Sequence, residues 1–185
     1  MLFMQTNAKV YRAVKFSRQL LQYPRVTFVD AIMGRFLLNL MTHMVVFYLL
    51  MTGIHYIWDI DVSLDVSAIM TSLAMAAVLG LGFGCMNCFL MWFFPVWESF
   101  WIVLTRPLLL MSTVIYTFED VPWQHQDKLW WNPLIHIIGL MRRGFYPSYE
   151  AEYVSVLYVF GLGLVLLAMG MVLLYRWNRI LLRRV

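Results

Sequence analysis

Long apolar stretches separated by short polar ones make up most of this chain. Residues 36–58 contain no Lys, Arg, Asp or Glu, and neither does the stretch 66–97, of which 68–93 is the usable part. About 20 apolar residues cross a hydrocarbon core as a helix, so each stretch predicts a membrane span. Two further spans are predicted at 99–118 and 153–175. The pattern predicts an all-α integral membrane helical bundle with about four transmembrane helices.

Two features interrupt this pattern. Arg106 and Pro107 fall inside the third predicted span, where proline should break or kink the helix. Residues 119–152 mix charges with aromatics and include one apolar piece, 133–141, that is too short to cross. We expect 119–152 to form a re-entrant segment between the last two spans.

The basic residues of the chain lie mainly at its two ends. Residues 1–35 form a basic leader before the first span, and 176–185 form a basic tail. Positive charges near span ends favour the cytoplasmic side, so both termini are expected there and the segment 119–152 outside. The leader residues 15–26 are typical of a short amphipathic element on the membrane surface, although a topology anchor explains them as well.

Composition excludes several classes of protein. Hydrophobic residues make up 62% of the 185 residues and charged residues only 13%, which is far from the average of a soluble domain. The mean hydropathy of +0.72 places the chain in the membrane class. The net charge is +4, and the basic residues cluster at the two ends of the chain instead of covering one face of a domain. Nucleic acid is therefore not an expected partner.

Small residues recur every four positions along the second predicted span, at Ser72, Ala76, Gly80 and Gly84. This spacing lines up a smooth ridge that another helix can approach closely, either within the chain or from a second subunit. Cys85 and Cys88 have the CxxC spacing but no second ligand pair, so they are interpreted as small apolar residues. No metal ion and no cofactor are predicted.

Arg106 is a formal charge within a predicted span, which makes it either a functional candidate or a side chain that snorkels to the surface. The outer segment offers rings beside polar groups, an arrangement that an interfacial aromatic belt or a surface for a sugar chain would both explain. With Arg106, its candidates for a substrate path or gate are Trp123, Trp130, Trp131, Asn132, Arg142, Arg143, Tyr146 and Tyr149.

Four groups of residues resemble a known family. They are SRQLLQYPRV at 17–26 with Asp30 and RFLLN at 35–39; RPLLL at 106–110 with Ser112 and Tyr116; WNPLIHII at 131–138 with Arg142 and GFYP at 144–147; and YRWNR at 175–179. The chain resembles, over nearly its whole length, the permease subunit of bacterial ATP-binding cassette exporters for capsular polysaccharide and O-antigen, and it is most similar to the capsule branch.

The resemblance implies a six-span half-transporter that forms a homodimer in membrane lipid, binds a separate ATPase subunit and exports a lipid-linked polysaccharide. It implies a gate at 122–147 and puts Arg106 at the start of the family's broken fifth span. It also implies that the family's amino-terminal helix and first two spans have no counterpart here, so we expect Met1 to begin a truncated or misassigned reading frame. The implied coupling element comprises Phe16, Arg18, Leu20, Leu21, Tyr23 and Pro24.

A transport permease without enzymatic activity is therefore the expected function. The chain has no GxxxxGK[ST] motif, so ATP hydrolysis is expected in a partner. Two alternatives stay open: an intramembrane enzyme that modifies a glycan or lipid, and a membrane assembly protein that transports nothing.

Overall fold

A computed structural model of the protein describes residues 1–17, 26–58, 64–146 and 148–177. These residues form eight helices and no strand, which confirms the all-α class. The helices are α1 (Leu2–Tyr11), α2 (Ala13–Phe16), α3 (Phe28–Trp58), α4 (Val66–Phe93), α5 (Val96–Leu110), α6 (Trp123–Trp130), α7 (Pro133–Phe145) and α8 (Val156–Arg176).

Among the described residues, α3, α4 and α8 are the helices long and apolar enough to cross a membrane. The third predicted span, 99–118, is not one continuous helix, because α5 ends at Leu110 and turns follow. With 15 residues, α5 is shorter than the roughly 20 that a span needs. Pro107 does not break α5 at the expected point: the helix continues through it to Leu110. Proline costs one helical hydrogen bond, which a helix that ends one turn later tolerates.

The helix α3 begins at Phe28, eight residues before the predicted start of the first span at Phe36. The backbone N–H of Thr27 donates a hydrogen bond to Asp30 Oδ2 (2.8 Å), and the Asp30 backbone N–H donates to Thr27 Oγ1 (3.3 Å). This reciprocal capping box stabilises a helix start at Thr27. The charges of Asp30 and Arg35 therefore lie inside the helix, so they do not mark its beginning.

The described chain divides into two compact units. The first consists of Met1–Asp61, Ala77–Pro95 and Gly163–Val185, and the second of Val62–Ala76 and Val96–Leu162. Both α4 and α8 contribute residues to each unit.

In the first unit, α1 packs on the small residues of α4. A Cβ atom added to Gly84 would lie 2.6 Å from two carbons of Val10, and one added to Gly80 would lie 2.9 Å from Cβ of Thr6. Both glycines are therefore covered by a helix of this chain. Close approach of this kind maximises van der Waals contact, the main source of helix association where lipid removes the hydrophobic driving force.

Buried amides and hydroxyls join the same helices. Asn87 Nδ2 donates to Asn7 Oδ1 (3.2 Å), which links α4 to α1, and Asn39 Nδ2 donates to Thr6 Oγ1 (2.9 Å), which links α3 to α1. All four side chains are at least 96% buried. Because a polar group left unpaired away from water is costly, these pairs favour one register for α1.

The contact between α4 and α8 in the first unit also depends on glycine. Any side chain at Gly82 would collide with the backbone carbonyl oxygen of Gly163, and a Cβ atom at Gly170 would lie 2.8 Å from the backbone of Cys85 and Met86. The two backbones thus leave no room for a methyl group at these positions.

In the second unit, α7 packs against the first turns of α4. Ser72 Oγ donates to the carbonyl oxygen of Ile137 (2.8 Å), and the Asp65 N–H donates to the carbonyl oxygen of Gly144 (3.0 Å). A Cβ atom at Gly144 would lie 2.5 Å from Cγ1 of Ile69. These contacts fix α7, which carries His136, Arg142 and Arg143.

We expect Gly82→Ala to destabilise the folded protein by about 1–3 kcal/mol, because overpacking of a close contact forces the backbones apart. Thermal unfolding of the purified protein in detergent would measure this as a lower midpoint.

The matched control is Gly161→Ala on α8, where an added Cβ atom meets nothing within 4 Å. Alanine in a helix is favoured over glycine by about 1 kcal/mol, so this variant should be at least as stable as the original protein. Equal midpoints for the two variants would contradict the packing described for Gly82.

Candidate functional site

A cluster of aromatic rings lies between α6, α7 and the start of α8 in the second unit. Trp130 stacks on Tyr158 with ring centroids 5.3 Å apart, and His136 approaches both rings edge-on at 5.0 and 5.4 Å. The indole N–H of Trp130 donates to the carbonyl oxygen of Tyr153 (3.0 Å). The Tyr158 hydroxyl donates to the carbonyl oxygen of Trp131 (2.8 Å). The cluster therefore joins α6 to α8 through both ring contacts and hydrogen bonds.

His136 lies at the centre of this cluster and is fully buried. Its Nε2 atom is 2.9 Å from the carbonyl oxygen of Trp130, and its Nδ1 atom accepts from the backbone N–H of Ser155 (3.2 Å). A carbonyl only accepts, so the ring carries its proton on Nε2 and keeps the Nδ1 lone pair for Ser155. Burial lowers the pKa of His136, which favours this neutral form.

Arg142 near the end of α7 holds the loop that follows α5. Its guanidinium donates to the carbonyl oxygens of Thr113 (2.7 Å), Tyr116 (3.0 Å) and Val114 (3.3 Å). Thr113 has a positive φ of 58°, a conformation that costs energy for a β-branched residue, and it is completely buried. The arginine thus stabilises a strained loop by pairing carbonyls that would otherwise lack donors.

Asn132 has a comparable structural role at the start of α7. Its side-chain oxygen accepts from the Leu134 N–H (3.1 Å) as an N-cap, and Pro133 occupies the first helical position. Its Nδ2 atom donates to the carbonyl oxygens of Met111 (3.3 Å) and Leu108 (3.5 Å) at the end of α5. One side chain therefore satisfies backbone groups at the ends of two helices.

Tyr149 reaches back toward the loop after α5. Its hydroxyl donates to Glu119 Oε2 (3.1 Å) and is also 3.1 Å from the hydroxyl of Tyr153. Desolvation raises the pKa of both tyrosines, so both hydroxyls are protonated near neutral pH. Tyr153 in turn stacks on Phe118, with ring centroids 4.3 Å apart.

The other path candidates lie at the surface of the described chain. Trp123 is 77% exposed, Trp131 68% and Tyr146 65%. Arg143 is exposed beside the half-buried Arg142, and Arg106 is exposed on α5. The structure thus separates the predicted path residues into an exposed group and the partly buried group of Trp130, Asn132, Arg142 and Tyr149.

The predicted coupling residues lie mostly outside the described part of the chain, which omits Arg18, Leu20, Leu21, Tyr23 and Pro24. Phe16 is described: it ends α2, is 66% exposed, and its ring lies 5.6 Å from the guanidinium carbon of Arg35. Of the predicted small-residue ridge, Gly80 and Gly84 face α1, Ser72 bonds to α7, and Ala76 is buried.

Sequence reasoning did not assign a role to His136, Ser155 or Tyr158. The aromatic partners of His136 lie six and 22 residues away along the chain, so no local spacing brings them together. A signal was present in the asparagine-proline start of α7, which fixes where this helix begins and hence which of its residues face inward. The described residues contain no group of three or more His, Cys, Asp or Glu that could hold a metal ion.

No family model matches the chain. Curated relatives do match it over almost all its length. The polysialic acid transport protein KpsM of Escherichia coli is 26% identical over 172 residues, which are 93% of this chain and 67% of that protein. The capsule polysaccharide export inner-membrane protein CtrC of Neisseria meningitidis is 23% identical over 181 residues, 97% of this chain and 68% of the relative.

The capsule polysaccharide export inner-membrane protein BexB of Haemophilus influenzae is 24% identical over 179 residues, again 97% of this chain and 68% of the relative. The chain therefore spans about two thirds of the length of each relative. The shared stretch includes all the described helices, from α1 to α8, apart from a few residues at most. The chain thus has long apolar helices and is similar, along almost its whole length, to inner-membrane proteins of capsule polysaccharide export.

Proposed function

We propose that this chain is the permease subunit of an ATP-driven exporter that moves a lipid-linked capsular polysaccharide or O-antigen across the bacterial inner membrane. The observation that carries the proposal is the similarity to three capsule-export proteins along 93–97% of the chain. The long apolar helices α3, α4 and α8 support a multi-pass protein.

The surface of the second unit fits a physical requirement of polysaccharide export. A long polymer rich in hydroxyl groups cannot cross hydrocarbon, so it needs a route lined by protein. The exposed rings of Trp123, Trp131 and Tyr146 provide flat apolar faces for sugar rings, and neighbouring polar groups can meet hydroxyls. We assign the gate of the proposed route to the region 122–147, with the termini in the cytoplasm.

Within this proposal, Arg142 and Asn132 are positioning residues. The guanidinium of Arg142 binds the carbonyls of the loop 113–116, and Asn132 binds the end of α5. They act on the glycan through the loop and helix that they hold. Arg143, Trp131 and Tyr146, which are exposed, remain the proposed direct contacts.

Export needs an energy source, and we assign it to a separate ATPase subunit that contacts the coupling element around Leu20, Leu21 and Tyr23. Closure of the ATPase would push on this element and so on α1 to α3. A homodimer of the permease would enclose the route. Only 6% of the apolar 18-residue window of α3 is buried within the chain. This exposed surface supports extensive contact with lipid or a second subunit.

We expect deletion of the gene in its own bacterium to remove polysaccharide from the cell surface and to leave it inside the cell, because the polymer lacks a route. Labelling of surface glycan on intact and permeabilised cells measures both pools, and re-expression of the chain should restore export. Normal surface polysaccharide after deletion would contradict the proposal. Turnover of a glycan by the purified chain without an ATPase would instead identify an enzyme.

Leu21→Asp should abolish co-purification with the ATPase and stop export, because a charge replaces an apolar contact at the proposed interface. The matched control is Gln22→Glu, which introduces a carboxylate at the next, already polar position. Retention of both ATPase binding and export in Leu21→Asp would exclude the proposed coupling element.

Arg142→Met should loosen the loop 113–116. Hydrogen bonds to a charged group contribute about 1.5–3 kcal/mol, so amide hydrogen exchange in this loop should become at least about tenfold faster. Arg143→Met is the matched control, since this neighbouring arginine is exposed. In Arg143→Met, the amides of the loop 113–116 should exchange at the same rate as in the original protein. Equal acceleration of exchange in both variants would argue against the loop contacts of Arg142.

A further inference from the structure

The loop 111–116, which follows α5, contains a strained residue. Among the non-glycine residues that the structure describes, Thr113 alone has a positive φ, at 58°, and it is completely buried. This conformation brings the Cβ atom close to the following carbonyl oxygen, and it is least suitable for a β-branched residue. Strain of this size changes an equilibrium by about tenfold and persists only where the surrounding structure imposes it.

Hydrogen bonds from α7 impose the strained conformation. The guanidinium of Arg142 donates to the carbonyl oxygen of Thr113 itself (2.7 Å) and to two carbonyl oxygens that follow it. Asn132, the N-cap of α7, donates to the carbonyl oxygen of Met111 (3.3 Å). Residues at the two ends of α7 therefore hold the backbone on both sides of Thr113.

The side chains at the tip of the loop contribute little to its closure. Val114 is 55% exposed and Ile115 79%. The hydroxyl of Thr113 donates to the carbonyl oxygen of its chain neighbour Ser112 (2.7 Å), so this bond does not join the loop to another element. The closed conformation of the loop therefore depends on the donors of α7.

Strain and hydrogen bonding thus act in opposite directions on this loop. In the closed state α7 satisfies the carbonyl oxygens and Thr113 is strained, whereas in an open state the hydrogen bonds are lost and the backbone relaxes. The relaxation makes local opening easier than it would be for an unstrained loop with the same hydrogen bonds. Opening would separate the end of α5 from α7, because Arg142 and Asn132 join them in the closed state.

We propose that the loop 111–116 is a strained latch between α5 and α7, and that it opens whenever the gate region 122–147 admits the glycan. The inference rests on the proposed export function and adds a conformational step to it. The strain at Thr113 makes this step easier, because it is released when the loop opens.

Substitution of Thr113 tests the latch, because side chains differ in their tolerance of a left-handed backbone. Thr113→Asn and Thr113→Gly both relieve the strain, whereas Thr113→Val keeps the branched shape and the strain. The measurement is amide hydrogen exchange of the full chain in lipid nanodiscs, read at Met111 and Ser112, whose N–H groups are hydrogen-bonded in the closed loop.

We expect these amides to exchange about three- to tenfold more slowly in Thr113→Asn than in the original protein, because the loop without strain opens less often. Thr113→Gly should slow exchange by a smaller factor, since glycine gains freedom in the open state. Thr113→Val is the matched control and should exchange as fast as the original protein or faster. Exchange slowed in neither the asparagine nor the glycine variant, or slowed equally in the valine variant, would overturn the latch.

A double variant separates strain from loss of packing. Arg142→Met removes the donor that holds the loop, and Thr113→Asn added to it should slow exchange again by at least about threefold, because the relaxed loop needs the arginine less. Equal exchange in the double variant and in Arg142→Met alone would contradict the strain at Thr113.

The rate at which polysaccharide reaches the cell surface after induced expression tests the role of the latch in export. Thr113→Asn should slow this rate, because the loop must open in each transport event, and Thr113→Val should not. Slower exchange combined with an unchanged export rate would overturn the inference. The proposed function itself is tested by the gene deletion, so its failure is distinguished from failure of the latch.

Discussion

The cost of leaving buried polar groups unpaired governs much of how this chain folds. Lipid offers no hydrogen bonds, so amides, hydroxyls and backbone carbonyls away from water must find partners in the chain. Asn87 pairs with Asn7 in the first unit, and Arg142 pairs with the carbonyls of Thr113, Val114 and Tyr116 in the second. Small residues such as Gly82 then allow the close helix contacts that hydrophobic burial cannot drive in lipid.

This constraint changes how the polar residues outside the spans are interpreted. A cation and an amide in an aromatic segment suggest ligand contacts, yet Arg142 and Asn132 use their donors on the backbone of α5 and its loop. The groups left at the surface are rings, glutamates and Arg143. A rigid frame held by internal hydrogen bonds, with a polar and aromatic surface, fits weak and repeated contact with a long sugar chain.

Much of the fold followed from hydropathy, since α4 and α8 lie within three residues of the predicted spans. The helix α3 begins earlier than predicted because the capping box of Thr27 and Asp30 sets its start, whereas charge alone suggested Phe36. The stretch 99–118 was predicted to break or kink at Arg106 and Pro107, whereas the helix runs through both and ends at Leu110. Ser112 and Asn132 donate there to the carbonyls of Leu109 and Leu108. The structure divides the aromatic candidates into the partly buried Trp130 and Tyr149 and the exposed Trp123, Trp131 and Tyr146, a division that the sequence did not predict.

The sequence by itself determined the membrane class, the positions of the long helices and the resemblance to capsule-export permeases, because each depends on local composition or a contiguous motif. Only the tertiary structure decided which helix covers the glycines of α4, what Arg142 binds, and that His136 meets Trp130 and Tyr158. These contacts join residues far apart along the chain, and their geometry depends on how the backbones pack.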